Sequence, residues 1–525
     1  MPHGSHSDSP GGTTAQETAY PADCLLEAVL QPDSSHAAMR QLNRFLASEG
    51  TTEALTAWFG PLDNHPRLLS KSDLKAKLAR EIARIDEVLN QQVNAVLHNA
   101  DWQRLESAWR GLEYLVNEQP PEAPVVIRVL DVSWKMLSTD AQRAIEFDQT
   151  QLFRKVYEEQ FGTPGGRPFG LLLADFAVSH RVSSQHPHDD VATLRSVAQV
   201  AAAAFVPVIV SAHPHLFGAD SFGELDRRLD LTRMLAQSEY MAWRSFVSSE
   251  DSRYIGVVVP QVLMRRPWER DTSRIDYFPF EEDVQGPDSS RYLWGSAVYA
   301  FGAVVMRSFS YSGWFEDILG TQEDSPSGGG IVESLPVHRF AADGTAALSR
   351  FSTDVLLTDE HERGLSLRGF IPLCHSRWTD FAAFHSAPSL HQPQSWSNEA
   401  ATRNDELSSR LNLMLCVCRF AHYLKVIVRD RTGRFNSPVE LETHLHNWIH
   451  QYVSADTTIA PSARARFPLR EARVQIREAP GRPGVYLCET HLRPHLQGDQ
   501  AVASMKLLTE VAAVSTGRTR AGAAG

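Results

Sequence analysis

The chain has 525 residues, of which 42% are apolar and 22% are charged, and its formal net charge at pH 7 is −12. This length predicts two or three compact units, and the composition is typical of a globular protein with a large core. No strongly basic region stands out, so nucleic acid is not an expected partner. The five cysteines form no CxxC pair, which argues against a disulfide framework and suits a reducing cytoplasm.

Residues 1–70 are predicted to form a flexible extension that carries one short helix. The first 20 residues are rich in Gly, Ser, Thr and His and lack the apolar segment of a secretory signal. They lead into "CLLEAVLQPD", which places four apolar side chains at helical spacing: Leu25, Leu26, Val29 and Leu30. A helix over about residues 22–31 is too short to be stable alone, so it must dock on its own chain or on a partner.

Residues 71–375 are predicted to form an α/β core. Between Leu74 and Val96, apolar residues recur every three or four positions, which predicts a long helix with a narrow apolar seam. The strand-like runs "RPFGLLLADFAVS" and "VPVIVSA" lie on either side of a helical run, "ATLRSVAQVAAAAF". Because apolar strands that alternate with helices are typical of βαβ units, the sequence predicts a buried, parallel sheet. The run "APVVIRVLDVS" is predicted as a further short strand.

Residues 376–525 are predicted to form a second α/β region that ends in a flexible tail. The run "NDELSSRLNLMLCVCRFAHYLKVIVRD" is predicted as one long helix. The run "REARVQIREAPGRPGVYLCETHLRP" is predicted as two strands around a Pro-Gly turn, and "AVASMKLLTEVA" as a third strand. The apolar runs of the chain are too short or too interrupted to span a bilayer, so no membrane insertion is expected.

The segment "NSPVELETHLHNWIHQYV" is the first candidate for a metal or catalytic site. On a helix, His446 and His450 share a face, whereas His444 lies about 160° from His446. The segment lacks the HExxH pattern of zinc metalloproteases and offers no third ligand, so a helix with surface or interface histidines is favoured. The histidine spacings along the chain contain no four-ligand set, and we expect no tightly bound metal.

Other residues that could serve as a catalytic or metal site also suit a structural role. In "SSEDSRY", Glu250 and Asp251 could serve as acid and base, but a buried ion-pair network with Arg253 at the start of a strand is favoured. Cys416 and Cys418 diverge by about 200° on a helix, which favours core packing over chelation. The chain contains neither a GxxxxGK[ST] loop nor a GxSxG elbow. The sequence therefore predicts no catalytic residue and no cofactor, and the protein is not expected to be an enzyme.

A series of motifs runs through the chain in a fixed order. They are "ESAWRGLEYLV" (106–116), "PFGLLLADF" (168–176), "VAAAAFVPVI" (200–209), "WRSFVSSEDSRYIG" (243–256), "YLWGSAVYAF" (292–301), "GGGIVESLPVHRF" (328–340), "TDVLLTDEHERGLSLRGFIPL" (353–373), "RFAHYLKVIVRD" (419–430), "WIHQYV" (448–453) and "PLREARV" (468–474). In kind and in order they resemble the large subunit of the type VI secretion contractile sheath, the TssC/VipB/ImpC/EvpB family. Ala174, Ser334 and Trp378 stand where that family more often has glycine.

The resemblance implies an α/β sheath protomer with mixed sheets flanked by helices, a helical N-terminal region and a C-terminal β region open to inter-subunit strand pairing. It also implies partners: a small sheath subunit of the TssB/VipA kind, further copies of the chain in a helical sheath, an Hcp-like inner tube and a baseplate. In this family, sheath contraction drives the inner tube into a target cell. The protein is then expected in the bacterial cytoplasm, attached to a membrane-anchored secretion complex.

The resemblance also implies two partner-binding sites. In part of the family, a ClpV-like AAA+ unfoldase grips an N-terminal helix of the large subunit to disassemble contracted sheaths. The residues that match this helix are Leu25, Leu26, Val29 and Leu30. The C-terminal strands over 472–476 and 485–490 are predicted to pair with neighbouring subunits. Their partner-binding residues are Val474, Ile476 and Tyr486.

Two alternatives remain open at this point. The first is a sheath of another contractile injection system or of a phage tail. The second is a soluble hydrolase that uses Glu250 and Asp251 or the region of His444.

Overall fold

A computed structural model gives the structure of most of the chain. The residues that it describes are 36–60, 70–163, 165–184, 186–226, 230–271, 273, 278–286, 288–315, 317–321, 328–342, 346–376, 379, 381–431, 438–454, 466–478, 486–495 and 505–511. The chain divides into two compact units, one from Met1–Leu97 and Trp268–Glu282 and the other from His98–Pro267 and Asp283–Gly525. The predicted N-terminal helix over about 22–31 lies outside the described residues.

The first unit is helical. Two helices, His36–Leu46 and Thr51–Phe59, lie in sequence, and the extended Gly50 caps the second. The two helices contact each other through the rings of Phe45 and Trp58, whose centroids are 4.9 Å apart. The predicted seam lies on a single long helix, Lys71–Leu97. The seam is not covered along its whole length, since Ile82, Leu89 and Val96 are exposed.

The second unit is built on a six-stranded sheet. Its strands are β1 (Leu172–Val178), β2 (Val208–Ala212), β3 (Ile255–Val259), β6 (Ile331–Val332), β9 (Phe370–His375) and β10 (Ala382–Phe384). Their order across the sheet is β1-β2-β3-β9-β10-β6. The first four strands are parallel, and β10 is antiparallel to both of its neighbours. The predicted parallel sheet is therefore confirmed for β1, β2, β3 and β9, and β10 adds antiparallel pairs at one side.

Both faces of this sheet are buried. On one face, Val208, Val210 and Val257 pack in a core with the helix Asp190–Ala204. On the other face, Ile209 and Val258 pack with the helix Val298–Ser312. The fully buried strands β2 and β3 explain why the sequence runs here are continuously apolar rather than alternating. The helix Val298–Ser312 ends at Gly313, which has the left-handed conformation (φ +78°).

The C-terminal part contains a separate antiparallel sheet of three strands. These are β11 (Leu469–Glu478), β12 (Tyr486–Pro494) and β13 (Met505–Val511), with β12 in the centre. The predicted long helix over 404–430 is divided into two helices, Glu399–Ser408 and Leu411–Arg431. The second packs on β11 and β12 in a common core that includes Phe420, Ala472 and Leu492. All three predicted strands are confirmed.

The helix Leu411–Arg431 is the one described helix that is long and apolar enough to cross a membrane by length and composition. Of its most apolar stretch, 61% is buried inside the protein. Met414, Cys418 and Phe420 belong to the core shared with the C-terminal sheet, and Leu411 and Leu415 belong to the core of the main sheet. Its apolar composition is therefore explained by burial between two sheets.

The remaining elements are short. The helices are Ala100–Asn117, Trp134–Arg143, Gln151–Phe153, Glu159–Phe161, Leu231–Leu235, Met241–Val247, Asp359–Ser366 and Pro438–Ile449, with a π-helical turn at Arg154–Glu158. The 3₁₀ turns are Phe147–Gln149, Pro214–Phe217, Phe222–Asp226, Ser238–Tyr240, Glu250–Tyr254 and His450–Tyr452. Two small antiparallel pairs complete the fold: β4 (Val262–Leu263) with β5 (Trp294–Gly295), and β7 (His338–Ala342) with β8 (Ala346–Arg350).

A buried carboxylate joins the start of β3 to the helices that follow the main sheet. Asp405 accepts hydrogen bonds from Arg253 (2.7 Å), from His391 (3.0 Å) and from the backbone N–H of Gln394 (2.7 Å). Burial opposes the charge of Asp405, but these donors outweigh it and lower the pKa of the carboxyl group below its usual range. The ion-pair network predicted around Arg253 thus exists, with Asp405 as its acid rather than Glu250 or Asp251.

We expect Asp405→Asn to lower the free energy of unfolding by about 3 kcal/mol, because it removes the buried charge that pairs with the partly buried Arg253. Glu399→Gln, which removes an exposed ion pair with Arg403 in the same helix, should cost under about 1 kcal/mol. Urea unfolding of the purified variants, followed by tryptophan fluorescence, measures both values.

The loss of unfolding free energy caused by Asp405→Asn depends on pH. Because the folded pKa of Asp405 is lowered, its contribution is present at neutral pH and is lost as the pH falls below the ordinary carboxyl range, near 4. The difference between the parent protein and Asp405→Asn should therefore shrink in acid. A constant difference, or equal effects of the two variants, would contradict the assignment.

Candidate partner-binding surfaces

The main sheet is open at one edge. Among the described residues, β1 pairs only with β2, so the other side of β1 carries no strand. The register of β1 against β2 is irregular between Leu173 and Ala177. Unpaired edge groups are a template for a strand from another chain unless they are covered.

A segment next to this edge has the sequence of a strand but belongs to no sheet. Residues 124–132 form neither a helix nor a strand, and among the described residues they form no backbone ladder. Val125 and Ile127 point inward and pack in a small core with Leu173 of β1. Val126 and Val129 are 67% and 71% exposed. The strand predicted from "APVVIRVLDVS" is therefore not formed within the described chain.

The helix Ala100–Asn117 carries an apolar stripe on its outer face. Trp102, Leu105 and Trp109 are spaced by three and four residues and therefore share that face. All three are exposed, and Trp109 is 65% exposed. The opposite face is tightly packed, because a side chain at Gly111 would meet the ring of Tyr299. Exposed tryptophans of this kind are typical of protein interfaces.

The third surface is the outer edge of β11. Val474 pairs with Thr490 and Ile476 with Cys488 on the β12 side. The N–H of Ile476 donates to the Glu442 carboxylate at 2.8 Å, so it faces away from β12. Because donor directions alternate along a strand, the N–H of Val474 faces the same outer side. No described residue accepts that hydrogen bond.

Tyr486 occupies a different position from the other two predicted residues. It lies in β12, where Glu478 pairs with it on one side and Val511 on the other. Both sides of its backbone are therefore satisfied within the chain, so Tyr486 can contribute a side chain to an interface but not a free strand edge. Among the described residues, β11 and β13 are the edge strands of this sheet, and Val453 bridges to Leu469 at the start of β11.

The histidine-rich segment is a helix, as predicted. It spans Pro438–Ile449 and continues into the turn His450–Tyr452. The rings of His446 and His450 lie on the exposed face with centroids 4.1 Å apart, and His444 lies elsewhere on the helix. No third metal ligand accompanies the pair among the described residues.

The other chemical candidates lie in a turn and in the core. Burial, and then the charge of Glu250, raise the pKa of Asp251, which lies in the turn Glu250–Tyr254. Cys374, Cys416 and Cys418 are buried. Burial raises the pKa of Cys374 to about 12, which leaves it as an unreactive thiol at neutral pH.

Sequence reasoning missed two of these surfaces. The apolar residues Trp102, Leu105, Trp109 and Leu115 recur at helical spacing, but spacing alone does not show that the first three are exposed while Leu115 is buried. The open edge of β1 could not be read from its sequence, because an edge strand and a central strand of a parallel sheet share the same apolar pattern. The predicted unfoldase-binding residues Leu25, Leu26, Val29 and Leu30 lie outside the described residues.

Two family models match the chain. The VipB model, described as EvpB/VC_A0108, tail sheath N-terminal domain, matches residues 79–391. The VipB_2 model, described as EvpB/VC_A0108, tail sheath gpW/gp25-like domain, matches residues 400–511. Together they cover most of both α/β regions, including the three surfaces described above.

Individual proteins are similar as well. The chain is 37% identical over 506 residues to the type VI secretion system sheath protein TssC1 of Pseudomonas aeruginosa, covering 95% of this chain and 97% of that protein. Among solved structures, a chain of the anti-feeding prophage baseplate covers 74% of this chain and 80% of its own length. The two are 10% identical, and their TM-score of 0.32 is too low to indicate a shared fold. On the family models and the sequence identity, the chain belongs to the VipB tail sheath family, as a structural large subunit of a type VI secretion contractile sheath.

Proposed function

We propose that the chain pairs with a small sheath subunit through the open edge of β1 and the segment 124–132. The observation that supports this is a strand-like segment with an inward apolar side, Val125 and Ile127, and an exposed one, Val126 and Val129. An incoming strand would gain backbone hydrogen bonds at β1 and cover the exposed valines. The stripe of Trp102, Leu105 and Trp109 provides a second contact for the same kind of partner.

The paired subunits then assemble into a helical tube around an inner tube, starting from a baseplate. Helical growth follows when a subunit contacts the next through two different surfaces that do not close into a ring. The outer edge of β11 is suited to such a contact, since no described residue accepts the outward N–H of Val474. Contraction is a concerted change in these contacts, and it drives the inner tube outward for effector delivery.

The proposed role is mechanical rather than catalytic, and it requires no cofactor. The protein works in the bacterial cytoplasm, attached to a membrane-anchored complex. After contraction, an AAA+ unfoldase disassembles the sheath by gripping the helix of Leu25, Leu26, Val29 and Leu30. That helix follows a polar segment of about 20 residues, which supports its being reachable by another protein.

Co-production of the chain with the product of the adjacent small-subunit gene tests this function. We expect tubes in negative-stain electron micrographs. Monodisperse soluble particles, with no tubes and no complex between the two proteins, would contradict it.

We expect Val129→Lys to weaken copurification of the small subunit at least ~10-fold. Burying one aliphatic side chain contributes roughly 1.5–3 kcal/mol, and ~1.4 kcal/mol corresponds to a factor of ten in binding. The matched control is Leu367→Lys, since Leu367 is 70% exposed and caps the helix Asp359–Ser366, where a positive charge is favourable. Both variants should keep the unfolding temperature of the parent. If Val129→Lys and Leu367→Lys copurify equal amounts of the small subunit, segment 124–132 is not part of the interface.

We expect Val474→Pro to prevent assembly of sheaths while leaving the small-subunit complex intact. Proline removes the outward N–H of Val474 but no donor of the β11–β12 ladder. Val474→Ala separates this effect from loss of the buried side chain, because it keeps the N–H. Negative-stain microscopy of co-produced proteins scores tube formation. Normal tubes with Val474→Pro would show that this edge is not a subunit contact.

We expect the double change Leu26→Ala and Leu30→Ala to weaken unfoldase binding by about 10²-fold or more, since each buried leucine contributes roughly 1.5–3 kcal/mol. Calorimetry with a peptide of residues 20–34 and the unfoldase N-terminal domain measures this directly. Failure of the parent peptide to bind, together with loss of folding in the doubly substituted chain, would mean that the helix packs on its own protein instead.

A further inference from the structure

Three histidines from two loops converge at the carboxyl ends of β1 and β2. His186 lies in the loop that follows β1, and His213 and His215 follow β2 directly. The ring centroid of His213 is 4.4 Å from that of His186 and 4.4 Å from that of His215. One ring nitrogen of each lies within 4.8 Å of the others. We propose that His186, His213 and His215 bind a divalent transition metal ion, with Zn²⁺ as the representative, and that water completes the shell.

The first imidazole is already oriented by a carboxylate. Nδ1 of His186 lies 3.0 Å from Oδ2 of Asp190, whose side chain is buried. Asp190 is itself held by the indole N–H of Trp134 at 2.6 Å and by the backbone N–H of Ser179 at 2.9 Å. Since Nδ1 donates to the carboxylate, Nε2 of His186 keeps its lone pair free. Metal-binding histidines are commonly held by a carboxylate in this way.

The second and third imidazoles need only a small adjustment. The backbone N–H of His215 donates to Nδ1 of His213 at 3.2 Å, and a metal bound through either nitrogen of His213 would replace that contact. In a tetrahedral zinc site, ligand nitrogens are roughly 3.4 Å apart, so each nitrogen must move by less than about 1 Å. Nε2 of His215 lies 3.8 Å from the exposed carboxylate of Asp220, a second acid beside the set.

A further buried imidazole lies beside this cluster. His180 follows β1 and stacks on the ring of Tyr240 at 4.0 Å. Its Nε2 lies 4.0 Å from Oε2 of Glu239. His180 thus has a carboxylate of its own and lies outside the three-histidine set.

The proposal departs from the sequence-based expectation of no tightly bound metal. That expectation considered spacing along the chain, whereas these ligands come from two loops brought together by the β1–β2 pairing. A bound ion would link the two loops at the edge of the main sheet. It would stabilise the folded chain by mass action and leave one coordination position open to water.

The test uses the full-length chain, alone or with its copurified partner, after removal of metals by a chelator. His446→Gln and His450→Gln are introduced throughout, so that weak metal binding by this exposed pair is not mistaken for binding at the three histidines. Titration with Zn²⁺ by calorimetry, and with Co²⁺ by visible absorption, should show one ion per chain with a tetrahedral Co²⁺ spectrum. His213→Gln should lower the affinity at least ~100-fold, and His188→Gln, in the same loop as His186, should change it less than ~2-fold.

The controls distinguish a loss of metal binding from a loss of folding. The unfolding temperature without metal should be the same in the parent and in His213→Gln, whereas Zn²⁺ should raise only that of the parent. If His213→Gln does not fold, His215→Asn replaces it, since the His215 side chain is partly exposed. Equal zinc affinity in the parent and the variant, or no binding once His446 and His450 are replaced, would overturn the proposal.

Discussion

The close contact between Gly256 in β3 and the start of the helix Leu411–Arg431 is the constraint on which the second unit depends. A side chain at Gly256 would meet Ile209, Ile371 and Leu411, each at 2.9 Å. The absence of that side chain allows the helix to begin directly on the parallel sheet. The same helix then continues into the core of the C-terminal sheet, where Phe420 and Leu424 pack with residues of β11 and β12. One helix therefore fixes both sheets, and Asp405, bound to Arg253, secures the preceding helix to β3.

The distribution of packing strength suits an assembling protein. The strands β2 and β3 are buried on both faces, so the centre of the main sheet does not need a partner. Among the described residues, the strands with a partner strand on one side only lie at the margins, such as β1 and β6 in the main sheet and β11 in the C-terminal one. A subunit built in this way can change its contacts with neighbours while its core stays intact, because packed interiors resist deformation more than interfaces do.

The sequence predicted the elements whose pattern is fixed by burial within the chain. The parallel strands, the long helix Lys71–Leu97 and the three C-terminal strands were predicted from such patterns. Ser334 stands where the family more often has glycine, and its backbone is left-handed (φ +62°), a conformation that favours glycine.

The errors have physical causes. Segment 124–132 has the pattern of a strand, but no described strand pairs with it. The break between the helices Glu399–Ser408 and Leu411–Arg431 depends on tertiary contacts, since Arg410 bridges to Pro388 and no glycine or proline marks the site. The cluster of His186, His213 and His215 depends on strand pairing, which spacing along the chain does not reveal.

The hydrogen bond from Ile476 to Glu442 has a consequence for strand addition at β11. It occupies the outward donor of Ile476, so a strand that enters along this edge meets free groups only as far as Val474. Extending the ladder further would require the carboxylate to leave. The helix Pro438–Ile449, which carries Glu442, therefore acts as a stop that limits the length of the added strand. Because a one-residue slip would turn the wrong face of that strand toward the core, such a stop also sets its register.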